Sequence, residues 1–186
     1  MAAAAIVIED ADLARAAAGG AGQAAEELAR RWGPRLLRFF AARGHADPDA
    51  EDLAQDTLLR VLRHLGRYDT RRPFATWIFT IGHRLALNRR RDRRPHLGWD
   101  EAGEPAAPAA ATPDPGGLVW RLAASELDER SHRLLWLRYV EEQPLAEAAV
   151  VLGISETNAK VILHRARVRL GRLLATRHPD LAAAPA

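Results

Sequence analysis

Apolar residues recur every three or four positions along most of the chain. No segment alternates convincingly with period two, so the pattern predicts helices throughout. The first main helix is expected from about Ala21 to Arg43, with Leu28, Trp32, Leu36, Leu37 and Phe40 on its apolar face. Gly33-Pro34 is expected to bend it. The second falls in "DPDAEDLAQDTLLRVLRHLGRYD". Asp47 is the expected N-cap, Pro48 suits the first helical position, and Asp49, Glu51 and Asp52 complement the helix dipole. Leu53, Thr57, Leu58, Val61, Leu62 and Leu65 fall on one broad side of it. The third helix begins after Arg72-Pro73 and turns Phe74, Ile78, Ile81 and Leu85 inward.

A second helical group starts near Leu118. "LDERSHRLLWLRYVEEQP" predicts a helix ending before Pro144, and "LAEAAVVLG" a short one stopping at Gly153. "SETNAKVILHRARVRLGRLLATR" predicts a long one capped by Ser155. Between the groups, "PHLGWDEAGEPAAPAAATPDPGG" holds five prolines and little apolar periodicity, as expected of a tether. The expected organisation is an alanine-rich start over 1–20, a helical domain over 21–94, a linker over 95–117, a second helical domain over 118–175 and a tail over 176–186. The fold class is all-α.

Composition narrows the chemistry. The 186 residues contain no cysteine, which excludes disulfides and thiolate metal sites. No apolar run approaches the ~20 residues of a membrane span. The start lacks a basic region and soon carries Glu9, Asp10 and Asp12, so it does not read as a signal peptide. A cytoplasmic protein is expected. There is no HExxH, no phosphate-binding glycine loop and no serine elbow, so neither an enzyme nor a cofactor is expected. The net charge is only +3, but the cations are concentrated. Arg89, Arg90, Arg91, Arg93 and Arg94 crowd one helix end, and Lys160, Arg165, Arg167, Arg169 and Arg172 line another helix. Basic stripes of this kind favour a polyanion.

Three faces stand out. On the second helix Asp52, Gln55, Asp56, Leu59 and Arg63 lie opposite the core. They form either a solvated face or, given a leucine ringed by polar groups, a protein-contact patch. On the third helix Trp77, Arg84, Asn88 and Arg91 form a stripe. Trp77 either packs in the core or stacks on unpaired bases while the arginines grip phosphates. The third face belongs to a pair with helix-turn-helix proportions. Ala149 is small at the crossing, Gly153 makes the turn, and Ser155 caps the second helix. There Ala159, Ile162, Leu163, Ala166 and Leu170 face inward, whereas Thr157, Lys160, Val161, His164, Arg165 and Val168 face outward. The outward set mixes base-reading groups with phosphate-binding cations. The plain alternative is an αα-corner with a polar surface.

These segments resemble regions two and four of bacterial sigma factors. The residues that carry the likeness are "DAEDLAQDTLLRVLRHLGRYD", "PFATWIFTIGHRLALNRRRDRR" and "LDERSHRLLWLRYVEEQPLAEAAVVLGIS". A two-domain layout without the intervening third domain resembles the extracytoplasmic-function group. The resemblance implies a dissociable initiation subunit of RNA polymerase. It implies that Asp52, Gln55, Asp56, Leu59 and Arg63 dock on the clamp helices of the largest polymerase subunit. The C-terminal domain would meet the flap of the second-largest. It further implies that Tyr68, Arg71, Arg72 and Phe74, in the loop before the third helix, receive a flipped base of the minus-ten element. Trp77, Arg84, Asn88 and Arg91 would hold the separated strand. Ser155, Thr157, Asn158, Lys160, Val161, His164, Arg165 and Arg167 would meet the minus-thirty-five element. Within "TNAKVILHRAR", Lys160, His164, Arg165 and Arg167 match the family's frequent "GTVKSRLHRAR", whereas Thr157, Asn158, Val161 and Ile162 depart from it. Partners would be core polymerase, promoter DNA and, where one is made, an anti-sigma factor, with no membrane. The alternatives are a free-standing helix-turn-helix regulator and a non-specific nucleic-acid-binding protein.

Overall fold

The computed structural model describes residues 8–42, 47–93 and 115–179. Among them it has eight α-helices, one 3-10 turn and no strand. The N-terminal lobe contains α1 (Asp10–Ala18), α2 (Gly22–Ala41), α3 (Asp47–Arg63), the 3-10 turn (Leu65–Arg67) and α4 (Phe74–Arg93). The C-terminal lobe contains α5 (Pro115–Glu126), α6 (Glu129–Tyr139), α7 (Leu145–Leu152) and α8 (Glu156–Arg177). The expected linker up to residue 114, most of the tail, and the side chains of Asp47 and Pro48 lie outside the described residues. None of the described helices is long and apolar enough to cross a membrane.

The N-terminal core follows the helical period. Leu28, Trp32, Leu36 and Phe40 from α2 meet Leu53, Thr57 and Val61 from α3 and Phe74 and Ile78 from α4, all buried. Leu58, Leu62, Ile81 and Leu85 are half-buried against them. Thr57 is fully buried because its hydroxyl donates to the Leu53 carbonyl at 2.6 Å. Gly82 lets the helices approach, since a Cβ there would lie 3.0 Å from Phe40 Cζ and 3.3 Å from Thr57 Oγ1. Trp32 and Phe39 both meet Phe79 in tilted or edge-on pairs 5.0–5.7 Å apart, a favoured aromatic geometry.

Several expectations need correcting. Leu37 is exposed rather than core. It is Phe39 that is buried, and the guanidinium of Arg133, from α6, lies over its ring. The alanine-rich start contains α1, which docks by polar anchors: Asp10 accepts from Trp32 Nε1 at 3.1 Å and from Arg31 at 3.0 Å. The second lobe begins at Pro115, three positions before Leu118, with a helix that the pattern missed. Pro115 and Gly116-Gly117 read as breakers, but proline fits the first position of a helix. Leu122 and Ala123 of α5 then join Leu127, Leu135, Ala166 and Leu170 in a second core cluster. Asp128 caps α6 by accepting from the Ser131 amide at 3.1 Å. The two lobes touch, with α4 packed on α7.

Candidate nucleic-acid interface

A two-residue connection and a cap set up the C-terminal face. Gly153 closes α7 in the left-handed region, at φ 64°, where a side chain would be strained. The Ile154 amide returns to the Ala149 carbonyl at 3.0 Å. Ser155 then accepts from the Asn158 amide at 3.2 Å and starts α8. The small Ala149 is buried at the crossing, and Ala159 is fully buried on the inner face of α8. Thr157, Asn158, Lys160, Val161, His164, Arg165, Arg167 and Val168 all stand exposed on the other side. Lys160 pairs with Glu156 at 2.8 Å, and both are well exposed, so the pair is worth little and is free to exchange. Ser155 is thus engaged in capping. The outward-facing set is what the sequence pattern specifies.

A second face lies at the start of α4. Tyr68, Phe74 and Trp77 form an aromatic cluster with centroids 5.1–5.7 Å apart. Phe74 is buried, while Tyr68 and Trp77 are half-buried. Trp77 packs on the domain core with part of its ring and also lines an open cleft. Arg67, Tyr68, Asp69, Arg72, Thr76, Trp77, Thr80 and Arg84 line that cleft, as does Val150 from α7. The loop before it is held in shape. Tyr68 donates its hydroxyl to the Arg72 carbonyl at 2.6 Å. Asp69 accepts from the Arg71 amide at 3.1 Å and from its side chain at 2.9 Å. The Arg71 guanidinium beside it holds the Asp69 carboxyl below its ordinary range. Burial pushes the Tyr68 phenol up. Arg84, Asn88 and Arg91 continue the stripe, exposed. Arg67, Asp69, Thr76 and Thr80 are not among the residues expected from the sequence. The Asp-x-Arg spacing before Arg72-Pro73 is a turn signal that could have flagged Asp69, but nothing local points to Val150.

The third face is on α3. Asp52, Gln55, Asp56, Leu59 and Arg63 are all exposed, Leu59 at 51%. Asp52 reaches across to α4, accepting from Arg89 at 3.2 Å. A leucine half open to water amid charges is a patch with no duty in this lobe's core.

Comparison with known proteins agrees with this layout. The family model for Sigma-70 region 2 matches residues 28–96, and that for Sigma-70 region 4 matches residues 119–170. The chain is 32% identical to RNA polymerase sigma factor CarQ of Myxococcus xanthus, over 83% of this chain and 91% of CarQ. It is 36% identical to ECF RNA polymerase sigma factor SigF of Caulobacter vibrioides, over 72% of this chain and 76% of SigF. Among solved structures, that of CnrH with the cytosolic domain of CnrY superposes with a TM-score of 0.66 at 30% identity. The match covers 90% of this chain and 97% of that one.

Proposed function

The chain belongs to the sigma-70 family, as an extracytoplasmic-function sigma factor that directs RNA polymerase to promoters, and we propose how its surfaces divide that work. The α3 patch of Asp52, Gln55, Asp56, Leu59 and Arg63 docks on the clamp helices of the largest polymerase subunit. The cleft lined by Tyr68, Arg72 and Trp77 takes an extruded base of the minus-ten element, with Phe74 buried behind these aromatics and Arg71 exposed on the loop beside them. Arg84, Asn88 and Arg91 hold the displaced strand by its phosphates. Extrusion costs a few kcal/mol. Stacking at ~1–3 kcal/mol per base, added to the phosphate contacts, is of the size needed to offset it. The outward face of α8, from Thr157 to Arg167, enters the major groove of the minus-thirty-five element. The C-terminal lobe also meets the polymerase flap.

No group here is asked to do covalent chemistry; the polymerase does it, in the cytoplasm where its template lies. An anti-sigma factor, bound to this chain as the cytosolic domain of CnrY is bound to CnrH, completes the partner set. The observation that carries the reading is the arginine-rimmed aromatic cleft in the same chain as a capped helix-turn-helix with an exposed outer face. Run-off transcription with purified core polymerase tests it. The wild-type chain should confer promoter-dependent transcripts. Leu59→Arg should change stability by no more than about 0.5 kcal/mol, as at exposed sites generally, and yet abolish holoenzyme formation. A variant that melts normally and still binds core polymerase at wild-type affinity would remove the α3 assignment.

A further inference from the structure

Val161 is a branched apolar side chain in the middle of a polar, cationic face. It is 42% exposed, and its helix neighbours three and four positions away, Thr157, Asn158, His164 and Arg165, are exposed with it. Other residues supply the inner face of α8: Ala159, Ala166 and Leu170 are buried, and Ile162 and Leu163 are half-buried against the core. Val161 therefore adds no packing to the lobe. It also adds little to the helix, since a β-branched residue is a weaker helix former than most unbranched ones. At this place the family's frequent "GTVKSRLHRAR" has serine.

An exposed valine taken alone says little; its place on α8 says more. Val161 lies roughly 8 Å from the start of the helix that Ser155 caps, at a rise of ~1.5 Å per residue. Helix-turn-helix proteins touch base edges with the N-terminal residues of this helix, and a major groove ~12 Å wide and ~8.5 Å deep takes that part of it. Val168 is also exposed on nearly the same side, but it lies roughly 18 Å along the helix, beside Arg172 and Leu173. A valine in a helix keeps one strongly preferred rotamer, so its methyl groups are held in place before any contact and lose little freedom in making it. Lys160, Arg165 and Arg167 stand exposed around it and supply the attraction for phosphate. Among the bases, the apolar complement to such a side chain in the major groove is the C5-methyl group of thymine.

We propose that Val161 is a specificity-determining residue, which packs on the C5-methyl group of a thymine in the upstream element. This rests on the reading of α8 as the major-groove helix. The contact selects a base by shape and apolarity alone, beside the hydrogen-bonding reach of Arg165 one turn further on. A contact of methyl size is worth about fourfold in affinity.

Deleting the methyl group from the DNA tests this directly. Holoenzyme made from the full chain and core polymerase first selects its upstream element from a randomised promoter library. Each thymine of that element, on either strand, is then replaced singly by deoxyuridine, which removes the methyl group and leaves the pairing edge intact. Holoenzyme affinity is measured by competition. Wild type should lose about fourfold at one thymine. Val161→Ser should bind the thymine and uracil versions of that site alike, Val161→Ile should keep the response, and Val168→Ser should respond as wild type does. All three variants should melt like wild type, because both valines are exposed. An element in which no thymine responds, a response that survives Val161→Ser, or one that Val168→Ser also abolishes overturns the methyl contact and leaves the assignment of α8 standing. A library that yields no upstream preference overturns both.

Discussion

Arg165 and Arg91 carry the same charge in different settings. Arg165 stands on the outer face of α8, two turns into a helix whose start is fixed by Ser155. The planar fork of an arginine matches a guanine edge bidentately. Arg165→Ala should cost about 1–3 kcal/mol on the preferred upstream element and relax discrimination at one base position. Arg91, exposed near the end of α4, should act on phosphate. Arg91→Ala should flatten the salt dependence of binding and leave the preferred upstream sequence unchanged. Selection from a randomised promoter library reads both; a uniform loss across all sequences for Arg165→Ala would make it a phosphate contact instead. His83 offers a residue-scale test of the fold itself. It is 9% exposed, and its Nδ1 has no hydrogen-bond partner. Burial above all, and then the charge of Arg133, push its pKa down to about 4. Arg130 of α6 and Arg84 of its own helix add to this, against the upward pull of Glu129. The unfolded chain therefore binds a proton between pH 4 and 6.5 that the folded one refuses. Stability rises with pH across that window, by at most about 1.4 kcal/mol per pH unit from this group. Urea midpoints at pH 7 and pH 5 should differ less in His83→Gln than in wild type. Equal differences would place the pH sensitivity elsewhere.

At the scale of helices, close approach and capping decide the arrangement. Gly82 sits where α4 crosses α2 and α3, and its missing Cβ is what admits Phe40 and Thr57. Gly82→Ala should destabilise the protein by about 1–3 kcal/mol, because both neighbours are fully buried and have little room to give. Calorimetry or urea melting measures it, and an unchanged midpoint would mean that the crossing is looser than its contacts imply. How far the sequence reveals these elements depends on where each one finds its partner. The inward faces of α3 and α8 and the turn at Gly153 follow from periodicity and local chemistry, so they are legible. The outward set of α8 is legible for the same reason. Three features depend on distant segments and are not. Phe39 is buried under Arg133 from the other lobe, α1 is docked through Asp10 onto Trp32, and Val150 reaches the α4 cleft only through the fold. Helix α5 is hidden by its own first residues, where Pro115 and two glycines resemble a linker although the proline suits a helix start.

At the scale of the whole molecule, two lobes must serve two DNA elements while joined by one connection. In the structure α4 and α7 are in contact, and a short connection suffices for that arrangement. On a promoter the two elements lie roughly two turns of duplex apart, at about 34 Å per turn. A chain reaches at most ~3.3–3.6 Å per residue. Removing ten residues between Arg94 and Asp114 therefore withdraws roughly 35 Å of reach, comparable to one turn of DNA. The shortened protein should melt like wild type, since the sequence of this stretch is rich in proline and has little apolar periodicity to pack with. It should also still bind core polymerase through the α3 patch. Transcription from a promoter with both elements should fall at least about tenfold, a change of about 1.4 kcal/mol. Initiation on a template already melted at the downstream element should persist, because it needs only the N-terminal lobe. The comparison of the two templates is the decisive measurement. Equal loss on both would trace the defect to polymerase docking. Full activity on both would mean that the lobes need not engage their elements at the same time.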